Sequence, residues 1–151
     1  MPQKQRLAPL FSPSRDQARQ FFIDAWRKHR TREVVSPLED AAIRLVTQHP
    51  EYHGLLEDSE TALAREWTPE SGEANPFLHL SLHLAVEEQL AIDQPHGLRA
   101  AFETLLARSD DRHDALHDVL ECLGETMWRA QKSQSPPDGE AYVECILRKA
   151  G

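Results

Sequence analysis

The stretch Asn75-Pro76-Phe77-Leu78-His79-Leu80-Ser81-Leu82-His83-Leu84-Ala85-Val86-Glu87-Glu88-Gln89-Leu90-Ala91-Ile92 decides the fold. Asn75 is a good helix N-cap, and Pro76 suits the first helical position, where its missing N–H costs nothing. Apolar residues then occur all the way round the helix. A helix without a polar face is buried among other helices, so 76–92 is expected to be a buried central helix. His79, His83 and Glu87 interrupt it at four-residue steps and therefore share one stripe. Buried polar groups need partners. A metal ion would satisfy all three.

The same spacing returns as His113-Asp-Ala-Leu-His117-Asp-Val-Leu-Glu121. A third pair, His49 and His53, flanks Pro50-Glu51-Tyr52. These three segments hold six of the eight histidines, leaving only His29 and His96. Imidazole nitrogen and carboxylate oxygen suit zinc, iron and other divalent transition metals. Helical bundles build such sites from ligands on facing helices. The expected ligands are His79, His83, Glu87, His117 and Glu121, with His113, His49 and His53 as additions. Gly124, next to the second stripe, is read as a point of close helix approach. The expected ion is iron or zinc, in a site of one or two ions.

The remaining chain also reads as helix. Ala18, Phe21, Phe22, Ala25 and Trp26 mark an amphipathic helix over about 14–28, ending in a basic run, Arg27 to Arg32, that complements its dipole. Ser36-Pro37-Leu38-Glu39 is a capping box for a helix that Pro50 stops. A short helix is expected within 51–64 and a loop over 67–74. Pro95 opens a helix with Leu98, Phe102, Leu105 and Leu106. The next, about 112–131, buries Leu116, Val119, Leu120, Leu123, Met127 and Ala130. The last, about 138–149, presents Tyr142, Val143, Ile146 and Leu147. Trp26, Trp67 and Trp128 are read as core. No stretch alternates with period two. The class is all-α, a compact bundle of six to seven helices, with residues 1–13 as a flexible arm and 14–151 as one domain.

Composition narrows the function. The 151 residues are 40% hydrophobic and 28% charged, as in an ordinary soluble protein. A net charge of −8 argues against nucleic acid and anionic membranes as partners. Cys122 and Cys145 make no disulfide framework and are read as two small buried thiols in a reducing compartment. With no signal-peptide or membrane-length apolar run, the expected location is the cytoplasm of a bacterial-type cell. No phosphate loop and no nucleophile triad occurs.

The motifs His49-Pro-Glu-Tyr-His53, Asn75-Pro-Phe-Leu-His79-Leu-Ser-Leu-His83-Leu-Ala-Val-Glu87-Glu88-Gln89, Asp93-Gln-Pro95, His117-Asp-Val-Leu-Glu121-Cys-Leu-Gly-Glu125 and Pro136-Pro137-Asp138 resemble a family of short proteobacterial proteins described as a domain of unknown function. The resemblance covers about residues 14–147 and implies no activity. Ligand type and spacing are also similar to hemerythrin-like and ferritin-like metal bundles. The paired Glu-x-x-His motifs of the ferritin-like proteins are absent here, and the histidine order differs from that of the hemerythrin-like ones.

The leading expectation is thus a metal-binding helical bundle, with oxygen, peroxide or hydrolytic chemistry open to it. The alternative is a structural or adaptor protein whose His–Glu stripes form a metal-free polar network. In that reading the central helix packs in the core or across a homodimer interface. A third reading is a metal-free hydrolase using His and Glu as acid and base.

Overall fold

The computed structural model describes residues 15–72 and 74–151, and the expected N-terminal arm lies outside them. Among the described residues there are eight α-helices and no strand. They are α1 (Arg15–Arg30), α2 (Pro37–Thr47), α3 (His53–Leu56), α4 (Ser59–Ala64), α5 (Pro76–Ile92), α6 (Leu98–Ala107), α7 (Arg112–Ser133) and α8 (Gly139–Ala150). The all-α class holds. The count exceeds seven because 51–64 is not one helix. A 3-10 turn covers Pro50–Tyr52 and runs into α3. Asp58 then restarts the chain as α4, its carboxylate accepting from the Thr61 N–H.

The chain forms two compact units, divided between Leu84 and Ala85 within α5. In the first, α1 and α2 pack together, and α1 also meets α3 and α4. Phe22, Trp26, Ala42, Val46, Leu56, Phe77, Leu80 and Leu84 belong to its core. The capping box of α2 forms as expected. Ser36 Oγ accepts from the Glu39 N–H, and Glu39 accepts from the Ser36 N–H at 2.9 Å. The same Glu39 carboxylate accepts from Lys28 Nζ at 2.8 Å, so one side chain both caps α2 and ties it to α1. The Lys28 ammonium, followed by the Ser36 N–H, holds the Glu39 carboxyl below its ordinary range.

Arg19 is a feature that periodicity does not announce. It is buried, and its guanidinium donates to the carbonyls of Ala62, Leu63 and Arg65 at 3.0, 3.2 and 2.7 Å. Its carbon lies 5.0 Å from the Trp67 ring centroid and 5.3 Å from that of Phe77. A cation on the last carbonyls of α4 complements that helix's dipole and pairs groups that would otherwise lose water. Burial, and then the neighbouring Arg15, lower the Arg19 pKa from its ordinary value.

In the second unit α8 packs against both α6 and α7. Tyr142 is fully buried, and its hydroxyl donates to Gln89 Oε1 at 2.8 Å. Burial pushes the phenol pKa up, so the hydroxyl keeps its proton and remains a donor. Asp138 caps α8 by accepting from the N–H groups of Glu140 and Ala141.

Several sequence expectations need correction. Cys122 on α7 and Cys145 on α8 form a disulfide with Cα atoms 5.8 Å apart; they are not two thiols. Residues 23 apart in sequence give no local signal for this, because the pairing arises only when α8 folds back on α7. The central helix is not buried all round: Leu78 is 57% and Ile92 50% exposed. Met127, Trp128 and Leu147, expected inside, are also exposed. Lys132 Nζ stands 4.7 Å over the Trp128 ring, so that indole is covered by a cation and not by the core. A Cβ at Gly124 would meet nothing within 4 Å, so no helix approaches closely there. Pro95 does not open α6. It sits in a cis peptide within the α5–α6 turn, and Gly97, at φ 92°, is the N-cap. A left-handed backbone there suits glycine.

Candidate metal centre

Three of the expected ligands meet in the first unit. Helix α5 begins as read: Asn75 Oδ1 accepts from the N–H groups of Phe77 and Leu78 at 2.9 and 3.3 Å. That cap fixes the helical register, which places His79 and His83 one turn apart on the same face. Their rings lie 4.6 Å apart, edge to face. His49 comes from another part of the chain. It follows the end of α2, and its backbone (φ −126°, ψ 68°) has left helical geometry, as the residue before Pro50 should.

The three rings point their Nε2 atoms at one another. His79 Nε2 is 3.2 Å from His49 Nε2 and 3.1 Å from His83 Nε2. His83 is fully buried, His49 is 4% exposed, and His79 is half-buried. The protonation of His49 follows from its other nitrogen. Nδ1 lies 2.8 Å from the Leu45 carbonyl, which can only accept, so Nδ1 carries the hydrogen. The Nε2 of neutral His49 is then a lone pair aimed at His79. A carbonyl on the far nitrogen is the arrangement that orients a metal-ligating imidazole. Tyr52 lies flat on the His49 ring, 5.3 Å between centroids with 2° between planes, and its ring is 6.3 Å from that of His79. Burial, and then Glu51, raise the Tyr52 phenol above its ordinary pKa.

The other expected ligands have other surroundings. His53 Nε2 donates to the Val46 carbonyl at 2.8 Å, and its ring packs 4.4 Å from that of Trp26. Glu87 accepts from both terminal nitrogens of Arg112, at 2.9 and 3.3 Å. Glu121 is exposed and accepts from Lys149 at 2.7 Å. His113 and His117, both half-buried on α7, lie one turn apart and meet edge to face with ring centroids 4.1 Å from each other. Within each of its own units, then, the structure brings together His49 with His79 and His83, and His113 with His117.

The description Domain of unknown function (DUF1841) belongs to a family model that matches residues 14–148. The chain belongs to this DUF1841 family. No curated protein and no solved structure matches it. Membership in DUF1841 therefore brings no ligand set with it, and the chemistry rests on the histidines. None of the described helices is long and apolar enough to cross a membrane.

Two residues near the centre escaped the sequence reading. Tyr52 lay inside the His-Pro-Glu-Tyr-His stretch, but nothing in its spacing said that it would cover His49. The Leu45 carbonyl, four residues before His49, could have been anticipated as the acceptor that a side chain just past a helix end can reach.

Proposed function

We propose that this protein binds a divalent transition-metal ion through the Nε2 atoms of His49, His79 and His83. The observation that carries the reading is the spacing of those atoms. Any two of the three histidines offer nitrogens within 4.8 Å, and the two closest pairs are 3.1 and 3.2 Å apart. Tetrahedral zinc with Zn–N bonds of about 2.0–2.1 Å sets its ligand nitrogens about 3.3–3.4 Å from one another. The His79–His49 and His79–His83 pairs thus lie at nearly the separation such an ion demands.

With Nδ1 donating to the Leu45 carbonyl, the Nε2 of neutral His49 is a lone pair, and His79 Nε2 faces both neighbours. A metal ion would take one lone pair from each ring. The all-imidazole donor set favours zinc over iron, which more often takes a carboxylate beside two histidines.

His117 is proposed as a further metal-ligating residue on its residue type and its place in the second His-x3-His-x3-Glu stripe alone. A fourth imidazole makes a closed site that holds structure; water in that position makes a Lewis acid that activates the water for hydrolytic chemistry. Glu87 and Glu121 are left outside the ligand set because their carboxylates are already paired with Arg112 and Lys149. The net charge of −8 supports a protein that works without nucleic acid or an anionic membrane surface.

The competing reading is a structural protein with a metal-free histidine network, since 3.1–3.2 Å is also hydrogen-bond distance. Cobalt(II) substitution separates the two. A stoichiometric titration should give the strong visible bands of a tetrahedral cobalt site in the native protein and not in His79→Ala. A flat titration of folded protein would favour the network.

A further inference from the structure

The Cys122–Cys145 bond joins the middle of α7 to α8, and both sulfurs lie inside the second unit. Cys122 is completely buried and Cys145 is 7% exposed. Val119 and Leu123 on α7 and Ile146 on α8, close to them in sequence, are buried too. Thiol–disulfide exchange needs a thiolate to reach one sulfur of the bond; Cys122 is closed to it, and Cys145, which lines a surface pocket, has the Glu125 carboxylate 3.9 Å from its sulfur to oppose an incoming anion. The α7–α8 connection, capped by Asp138, is only a short turn, so α8 must fold back on α7 before the sulfurs meet.

We infer that this disulfide is made while the chain folds and is afterwards kinetically locked, so that it is a lasting oxidative mark on the α6–α8 unit. The step is an exchange with a disulfide donor. Two cysteine thiols lose two electrons and two protons as the Cys122–Cys145 bond forms. The donor's S–S bond breaks, takes up those electrons and protons and leaves as two thiols. The donor must act on an open form, in which α8 has not docked. Reduction of the finished protein must pass through the same opening, so it is slowed by the small open population and, once reductant outpaces reclosing, runs at the opening rate. The site needs no exposed thiol and no resolving cysteine. It differs in this from a regulatory pair, which sits in reach of solvent.

The test uses the full chain, lysed directly into a thiol-alkylating reagent and then denatured. Intact mass should show no adduct before reduction and two after it. The native protein should then lose the bond to dithiothreitol at least about 100-fold more slowly than the same protein in denaturant. Its rate should also level off as dithiothreitol increases. Two adducts without reduction would overturn the bond itself. Equal rates in the native and denatured states would overturn the lock.

Discussion

The Nε2 atoms of His49 and His79 stand 3.2 Å apart although thirty residues separate them in sequence. The contact joins the end of α2 to the first turns of α5. It also faces His79 with a nitrogen that, in neutral His49, is a lone pair, because Nδ1 donates to the Leu45 carbonyl. On the reading proposed above, this pair and the nearby His83 share an ion.

If the ion braces the first unit, removing it should weaken the fold. A ligand bound at about a hundred times its dissociation constant stabilises by about 2.7 kcal/mol, and for a chain of this size that moves Tm by roughly 5–10 °C. Dialysis against a strong chelator should lower Tm by that amount, and one equivalent of zinc should restore it. Calorimetry before and after would show this. A Tm that does not move as the metal leaves would refute a bracing role.

Glu39 should make the first unit acid-sensitive. Lys28 and the Ser36 N–H depress its carboxyl pKa in the folded state, so the unfolded chain takes up the proton more readily. The stabilisation is then present above the ordinary carboxyl range near 4.5, where both states are ionised, and it is lost as pH falls through that value toward the folded pKa. Glu39→Gln should cost about 1 kcal/mol at neutral pH and almost nothing at the acid end. Urea melts at both pH values check it, and an equal loss at each would rule out the charge as the cause.

Arg19 should be among the most sensitive buried positions. Arg19→Ala strands three carbonyls and empties the space between Trp67 and Phe77. A loss of about 3 kcal/mol is expected. Arg19→Met keeps the apolar stem and should recover part of it. Denaturant unfolding of both variants separates packing from hydrogen bonding, and a stability change under about 0.5 kcal/mol in Arg19→Ala would show that the carbonyls find other partners.

The disulfide should contribute to stability through the unfolded chain. Closing a loop of this length removes about 3 kcal/mol of chain entropy from the denatured state. The double variant Cys122→Ser, Cys145→Ser should therefore unfold at lower denaturant than the oxidised protein and close to the reduced one. If all three melt together, the bond is without thermodynamic effect.

Much of this was legible in the sequence because it is written in local chemistry. The Asn75-Pro76 cap and the Ser36–Glu39 box each involve residues within a few positions of one another, and both formed. His79 and His83 shared a stripe because four residues make about one helical turn. What escaped the reading is non-local. Cys122 and Cys145 meet only after α8 folds back on α7, and Arg19 finds its carbonyls more than forty residues away. Glu87 and Glu121 fit the ligand pattern as well as the histidines do, yet each met a cation that no spacing rule links to it. Exposure was misjudged at Trp128 and Met127 because an apolar stripe says which side faces inward and not how far the partner helix extends.

Elemental mass spectrometry on tag-free protein, from cells grown with zinc and iron, tests the central claim most directly. His83→Gln is the matched variant, with circular dichroism to verify its fold. One equivalent of zinc, or of iron in its place, is expected in the native protein and a small fraction of that in the variant. A native protein that is folded and free of metal, or a variant that retains the full equivalent, would contradict that claim.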